Sequence, residues 1–383
     1  MERDRLRKLV ADMVAIPSVN PLDAPPGEGT GEADLAAFVE RRLAEAGVAV
    51  EQVPAAPGRP SVVARLPGER EDAIWFDAHL DTVSAEGMTD PFVPRVEGDI
   101  LHGRGAADDK GSLAAMMAAL ISLAEAGVRP PSTIILTATA DEEHRMRGLL
   151  SLLDSGLQAG AAIVGEPSGL AIITAHKGVA RFKVATRGKA AHSSHPEAGV
   201  NAIYGMRRVL DALEAYAKRG VGREIHPVLG KATLSVGVIR GGKHANVVPD
   251  YCEIEVDRRL LPGEEGRRAV ADVRTYLSDV IQEDLEMEVI GPDIVVPALD
   301  LSTDTPLVQA VSAQVKQVIG RSSLEGMSGT THAGQLVAHG IPAVVLGPGA
   351  MGQAHTTEEQ LELQQLEQAA GIYEGLMRGW VQP

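Results

Sequence analysis

The chain has 383 residues, of which 44% are hydrophobic and only 3% aromatic, and its formal net charge is -16 at pH 7. This length exceeds that of one typical hydrophobic core, so two domains are expected. The acidic balance argues against nucleic acid or an anionic membrane as a partner, because no basic surface is available to neutralise phosphates.

The first half of the chain is predicted to alternate strands with helices. Helical periodicity extends over about residues 2–15, 32–46 and 110–126, and Gly47 and Gly127 end the second and third of these helices. Apolar runs typical of strands lie at 61–66, 73–77, 132–139 and 161–165. We therefore expect an α/β fold with a mostly parallel sheet flanked by helices on both sides.

The pattern changes after residue 177. Four segments alternate as half-exposed strands do, at 180–186, 233–239, 251–258 and 285–290, with helical stretches at 198–218 and 264–281. This βαββαβ order indicates a small ferredoxin-like insertion. Beyond Pro297 the α/β pattern returns, with helices at 305–319, 332–339 and 357–380 and a strand at 343–346. We predict one domain from 1–177 and 292–383, interrupted by a lid domain at 178–291.

The N-terminal segment is predicted to be an amphipathic helix with acidic residues, and it lacks the apolar core of a signal peptide. No apolar run reaches the ~18 residues that a membrane-spanning helix needs. Cys252 is the only cysteine, which excludes an intramolecular disulfide, and its alternating surroundings predict a small buried or half-buried side chain. We therefore expect a cytoplasmic protein.

Residues that can bind metal ions follow the ends of the apolar runs. Two histidines and a group of carboxylates occupy these positions: His79, Asp81, Asp108, Asp109, Asp141, Glu142, Glu143, Glu166 and His355. Nitrogen and oxygen ligands without a thiolate suit Zn²⁺, with Co²⁺ or Mn²⁺ as substitutes. The sequence therefore predicts a hydrolytic site with two divalent metal ions.

His79 and Asp81 would face the same way in an extended segment, so the Asp81 carboxylate is expected to orient the His79 imidazole. Each motif alone has an ordinary explanation. His-x-Asp occurs by chance, Asp108 or Asp109 can cap the following helix, and the acids at 141–143 can face a helix N-terminus. The occurrence of all the motifs in one chain is what indicates a site.

These motifs resemble those of the M20 metallopeptidase family, which includes deacetylases, desuccinylases and carboxypeptidases. The resemblance covers nearly the whole chain: His-x-Asp at 79–81, Gly-Arg-Gly-Ala-Ala-Asp-Asp-Lys-Gly at 103–111, Asp-Glu-Glu at 141–143, Val-Gly-Glu-Pro at 164–167 and a histidine at 355. It implies five metal ligands: His79 and Glu166 on one ion, Glu143 and His355 on the other, and Asp108 on both. It also implies that Glu142 is the general base and that the Asp108–Asp109 peptide bond is cis. Adjacent residues on an extended chain point in opposite directions, which agrees with different roles for Glu142 and Glu143.

The inserted segment also resembles the family. The motif at 188–196 places His192 as a donor to the developing oxyanion, and in many members this histidine reaches the active site of a partner subunit, which implies a homodimer through the lid domain. Arg259 aligns with the residue that grips the substrate carboxylate, with Asn246 beside it. The alternative is that Arg258 and Arg259 form surface ion pairs at a strand end.

We therefore expect a metal-dependent hydrolase of the amide bond in an N-acyl amino acid or a small peptide with a free carboxylate. An aminopeptidase or dipeptidase of the same family would use the same metal ions and differ in its pocket. His332 stands where the family usually has Asp near that pocket, which leaves the substrate side chain open. A catalytically silent, ligand-binding relative is the alternative from another class, and the intact Glu142 argues against it.

Overall fold

The computed structural model describes residues 2–221, 225–281 and 285–382. They form two compact units. The first contains the described residues up to Thr174, Leu301–Glu325 and the described residues from Thr331 onward, and the second contains those of Ala175–Asp300 and Gly326–Thr330. None of the described helices is both long and apolar enough to span a membrane.

The helices and strands of the described residues have the following bounds. The helices are α1 (Arg3–Val14), α2 (Ala33–Glu45), α3 (Lys110–Glu125), α4 (Arg147–Asp154), α5 (Ala202–Lys218), α6 (Gly266–Val280), α7 (Pro306–Ile319), α8 (His332–Ala338) and α9 (Leu363–Gly379). The strands are β1 (Ala49–Ala56), β2 (Arg59–Leu66), β3 (Arg70–His79), β4 (Arg95–Glu97), β5 (Ile100–His102), β6 (Ser132–Thr139), β7 (Ala161–Val164), β8 (Ile172–His176), β9 (Gly178–Arg187), β10 (Ala191–His192), β11 (Ile225–His226), β12 (Gly230–Lys231), β13 (Thr233–Gly241), β14 (Val247–Val248), β15 (Tyr251–Leu260), β16 (Met287–Val296), β17 (Leu299–Asp300), β18 (Leu324–Met327), β19 (Ala343–Val345) and β20 (Gln360–Glu362).

The first unit contains a mixed sheet in which the strands lie in the order β1-β2-β6-β3-β7-β19-β8. The four central strands, β6, β3, β7 and β19, are parallel. The outer pairs are antiparallel, because β1 and β2 form a hairpin and β8 pairs with β19 in the opposite direction. The expected α/β fold is confirmed, and its parallel pairing is confined to the centre of the sheet.

The side chains of β3 alternate between the two faces of this sheet. Ile74, Phe76 and Ala78 belong to a hydrophobic core with buried residues of α1, α2, α3, α7 and α9. On the opposite face, Asp77 contacts the first residue of α8, His332. Helices therefore cover both faces, and Ile74, Phe76 and Ala78 are apolar because they face the larger helical layer.

The register of the parallel strands determines where the predicted site residues lie. His79, the last residue of β3, is level with Thr139, the last residue of β6. Asp77 of β3 is level with Val164, the last residue of β7. Because parallel strands end at the same edge of a sheet, the loops that follow β3, β6 and β7 lie side by side at that edge.

The second unit contains an antiparallel sheet in the order β13-β15-β9-β16, with α5 and α6 packed on one face. Its four long strands and two helices follow one another in the order βαββαβ, which is found in ferredoxin-like folds. Cys252 of β15 is fully buried against this layer, as predicted. The unit extends past the predicted boundary at 291 because β16 stays paired with β9 up to Val296.

Candidate metal centre

The first unit brings Asp108 between two histidines. Nε2 of His79 lies 3.1 Å from Oδ1 of Asp108, and Nε2 of His355 lies 3.2 Å from Oδ2. Oε1 of Glu143 is 3.1 Å from the same His355 nitrogen. Each carboxylate oxygen of Asp108 therefore faces a different imidazole, as expected of a carboxylate shared between two metal ions.

Glu142 and Glu166 lie on the His79 side of this cluster. His79, Glu142 and Glu166 offer ligand atoms that are all within 4.8 Å of one another, and so do His79, Asp108 and Glu143. The structure therefore brings together, at the edge of the sheet where β3, β6 and β7 end, the five predicted ligands and the predicted base.

The electrostatics of the cluster fit bound cations. Burial raises the pKa of the Glu142, Glu143 and Glu166 carboxyl groups, and the charge of neighbouring carboxylates raises it further. Hydrogen bonds to the Asp108 and Glu143 carboxylates raise the pKa of His355 to about 10. Buried carboxylates repel one another unless positive charge lies between them, so this donor set fits divalent ions, which would replace the protons on the imidazoles.

Two backbone features are found among the site residues. Asp141 and His355 have φ angles of 68° and 63°, in the left-handed region that residues other than glycine rarely adopt. Such conformations persist where the surrounding structure holds them, and they often occur at functional sites. The Asp108–Asp109 peptide bond is cis, as the resemblance implied.

Asp81 does not orient His79 in the predicted way. Nδ1 of His79 lies 2.8 Å from the main-chain carbonyl oxygen of Asp81 but 3.9 Å from its nearest carboxylate oxygen, too far for a hydrogen bond. The carboxylate instead accepts the N–H groups of Glu142 and Glu143, each at 3.0 Å, and the side-chain amide of Asn20 at 2.7 Å. The predicted contact is wrong because three other donors satisfy this carboxylate, which thereby fixes the loop after β6.

A buried ion-pair network supports the same loop. Nε of Arg59 donates to Oε2 of Glu32 at 2.8 Å, and Nη1 of Arg59 lies 2.9 Å from Oδ1 of Asp141. Glu32 also accepts the N–H of Asp141 at 3.1 Å. No motif in the sequence points to Asn20, Glu32 or Arg59, because each is an ordinary polar residue far from the motifs along the chain.

His332 is a buried residue of the first unit. It is 1% exposed, and its Nδ1 lies 2.6 Å from Oδ2 of Asp77 on β3. The other oxygen of Asp77 accepts a short hydrogen bond from the Thr137 hydroxyl. The histidine that replaces the family's usual Asp thus forms an internal pair beneath the sheet edge.

The predicted substrate residues lie in the second unit, at two separate places within it. His192 is exposed on β10, next to Asn246, whose carbonyl accepts the N–H of Ser193 at 3.0 Å. Asn246 precedes Tyr251, where β15 begins, by a few residues, whereas Arg259 lies near the other end of β15, about 26 Å away along an antiparallel strand. The second unit therefore does not bring His192 and Arg259 together.

Arg259 takes part in a surface ion pair. Its Nε donates to Oδ1 of Asp257 at 2.8 Å, and Nε of Arg181 on β9 donates to the other oxygen at 3.1 Å. Arg258 points to the opposite face of the sheet, where it is buried and pairs with Glu264 at 2.5 Å. Arg259 is thus the more accessible of the two adjacent arginines.

The chain is similar to several known proteins. The family model described as peptidase family M20/M25/M40 matches residues 75–379. The chain is 31% identical over 306 residues to acetylornithine deacetylase of Myxococcus xanthus, covering 79% of this chain and 74% of that protein. It is 26% identical over 389 residues to N-formyl-4-amino-5-aminomethyl-2-methylpyrimidine deformylase of Bacillus subtilis strain 168, covering 93% and 91% of the two chains. The solved structure of aminopeptidase PepT from Bacillus cereus ATCC 10987 superposes with a TM-score of 0.76 at 24% identity, covering 99% and 98% of the two chains.

The cluster of histidines and carboxylates, together with these relatives, defines a metal-dependent hydrolase. The chain belongs to peptidase family M20/M25/M40. The family inferred from the sequence motifs is therefore confirmed. The similarity to PepT shows that the two chains share the mixed α/β fold.

Proposed function

We propose that the protein hydrolyses the amide bond of an N-acyl amino acid, or of a small peptide with a free carboxylate, at a centre of two divalent metal ions. One observation carries the proposal: the two carboxylate oxygens of Asp108 face His79 and His355 separately, within a buried cluster of carboxylates. A screen of the metal-loaded protein over N-acetyl, N-succinyl and N-carbamoyl amino acids and dipeptides tests it. No hydrolysis of any of these amides would contradict it.

In this proposal each ion has two ligands of its own and one shared ligand. The set is His79 and Glu166 for the first ion, Glu143 and His355 for the second, and Asp108 for both. Zn²⁺ is the first choice for these nitrogen and oxygen donors, with Co²⁺ or Mn²⁺ as substitutes. When bound, such ions supply Lewis-acid activation of the attacking water and of the scissile carbonyl.

Glu142 is the proposed general base. Burial and the neighbouring carboxylates raise the pKa of its carboxyl group, which favours the uptake of a proton. It takes the proton of the attacking water and delivers it to the leaving nitrogen. The Asp81 carboxylate, which accepts the N–H of Glu142, keeps the base in place during both transfers.

Amide hydrolysis is the chemistry common to the deacetylase, deformylase and aminopeptidase relatives. The proposal of an N-acyl amino acid rests on Arg259, whose guanidinium fork suits a carboxylate, and on Asn246. An aminopeptidase or dipeptidase would keep the same metal ligands and recognise a free amine. The dipeptides in the screen, with blocked and free amines, distinguish these two substrate classes.

Arg259→Ala should weaken the binding of substrates with a free α-carboxylate and matter far less for their amidated analogues. The matched control is Arg181→Ala, because Arg181 shares the Asp257 carboxylate and lies on the same face of the sheet. KM for carboxylate and amide substrates is measured for both variants. An equal rise in KM for the two substrates in Arg259→Ala would show that Arg259 does not bind the carboxylate.

We further propose a homodimer in which His192 acts in the site of the partner subunit. The separation of His192 from Arg259 within the second unit supports this arrangement, because one small substrate cannot contact both residues of the same copy.

Complementation between two inactive variants tests this arrangement. His192→Ala should mainly lower kcat. A mixed dimer of His192→Ala with Glu142→Gln should regain activity, because one of its two sites then has both Glu142 and His192. The two variants are co-expressed and purified through different tags. Mixed dimers no more active than either variant alone would contradict the proposal.

A further inference from the structure

Glu359 is a buried carboxylate that no step proposed above uses. Its side chain is fully buried and faces the loop that ends at Asp108. Oε2 accepts Nη1 of Arg104 at 2.6 Å and the N–H of Gly105 at 2.9 Å, and Oε1 accepts the N–H groups of Ala107 and Asp108, both at 3.0 Å. Four donors satisfy both oxygens, so this one carboxylate fixes the backbone of the loop.

Glu359 also lies close along the chain to the second histidine of the cluster. It follows His355 by four residues, and Nη2 of Arg104 donates to the carbonyl of Thr356 at 3.0 Å. Directly after Glu359, β20 pairs with β5. The buried pair of Arg104 and Glu359 therefore joins the segment that carries His355 to the loop that carries Asp108.

We propose that Glu359 is a positioning residue of the metal centre. It holds Asp108 and His355 at the separation observed here, and it touches neither an ion nor the substrate. This inference rests on the ligand set proposed above. Residues that orient metal ligands commonly change metal affinity when they are replaced, although they make no bond to the ion.

Glu359 supports the ligands of one ion more than those of the other. Asp108 and His355 are two of the three ligands of the second ion. The first ion shares only Asp108 with the hydrogen bonds of Glu359. His79 is the last residue of β3 and Glu166 follows β7, and the Glu359 carboxylate bonds to Arg104, Gly105, Ala107 and Asp108 instead. Replacing Glu359 should therefore weaken the binding of the second ion much more than the binding of the first.

Gln is the informative replacement because it keeps the size of Glu. Its amide has one oxygen and one NH₂ group, and the NH₂ group would face two N–H donors wherever it is placed. One pair of donors is then left without an acceptor in a buried place, which displaces the loop. The exposed neighbour Glu358 provides a matched control with the same substitution one residue earlier.

The experiment is a Co²⁺ titration of metal-free wild type, Glu359→Gln and Glu358→Gln, followed by calorimetry and by the visible absorption of Co²⁺. The wild type and Glu358→Gln should bind two ions. In Glu359→Gln, the affinity for one Co²⁺ ion should be unchanged, and the affinity for the other should fall roughly 10- to 100-fold. Its kcat should return at high Co²⁺, which a general loss of structure would not allow.

Two results would overturn the inference. Either the affinities for both Co²⁺ ions are unchanged in Glu359→Gln, or both affinities fall equally. If that variant does not fold, Arg104→Lys is titrated instead, because an ammonium cannot contact Glu359 and the Thr356 carbonyl with the guanidinium's geometry. The same selective loss is expected, and its absence would overturn the inference. A wild type that binds fewer than two ions would instead contradict the proposed metal centre itself.

Discussion

Glu142→Gln should lower kcat by roughly 100-fold or more, a typical effect of removing a general base, while both metal ions stay bound. The amide keeps the shape of the side chain but cannot take a proton from water. Ligand atoms of Glu142, His79 and Glu166 lie within 4.8 Å of one another, so the structure alone allows Glu142 to be a metal ligand. Metal content measured beside kcat separates the two roles.

Glu143→Gln is the matched control for the Glu142 experiment. The two residues are adjacent, and both donate their N–H groups to Asp81. Of the two, only Glu143 contacts His355. Replacing Glu143 should therefore cause loss of the second ion and loss of activity. Near-normal turnover in Glu142→Gln would make the assignment of the base wrong, and loss of an ion from that variant would make Glu142 a ligand.

Asp108→Ala should abolish the binding of both ions and with it all amide hydrolysis. Its two carboxylate oxygens face the two histidines separately, so no other residue of the cluster can replace it. Asp109→Asn is the control. Asp109 is buried next to it but directs Oδ2 to the N–H of His79 at 3.4 Å, and an amide oxygen can keep that contact. An Asp108→Ala protein that retains both ions would contradict the proposed bridge.

The elements that the sequence predicted well are those with strong apolar patterns. The strand at 132–139 and the helix at 110–126 were predicted within one residue, because nearly all of their side chains are buried. The sequence did not predict β1 or α4. Half of the residues of β1 are exposed and none is fully buried, and the strand contains Pro54 and pairs with β2. α4 has only eight residues and begins after Met146, which has a positive φ angle.

The convergence of the site residues could be predicted because ends of neighbouring parallel strands lie together. The contacts that hold these residues in place could not. Whether His79 meets the carboxylate or the main-chain carbonyl of Asp81 depends on competing donors such as Asn20. Arg104 and Glu359 are 255 positions apart along the chain, and no local sequence pattern predicts that they pair.

The direct test of a two-metal hydrolase is metal analysis of the wild-type protein during reconstitution. Chelated, metal-free protein is supplied with Zn²⁺, Co²⁺ or Mn²⁺, and bound metal per chain is measured together with amide hydrolysis. We predict two ions per chain, with activity that rises as the centre fills and is lost again on chelation. No bound divalent ion, and no activation by any of the three metals, would contradict the account.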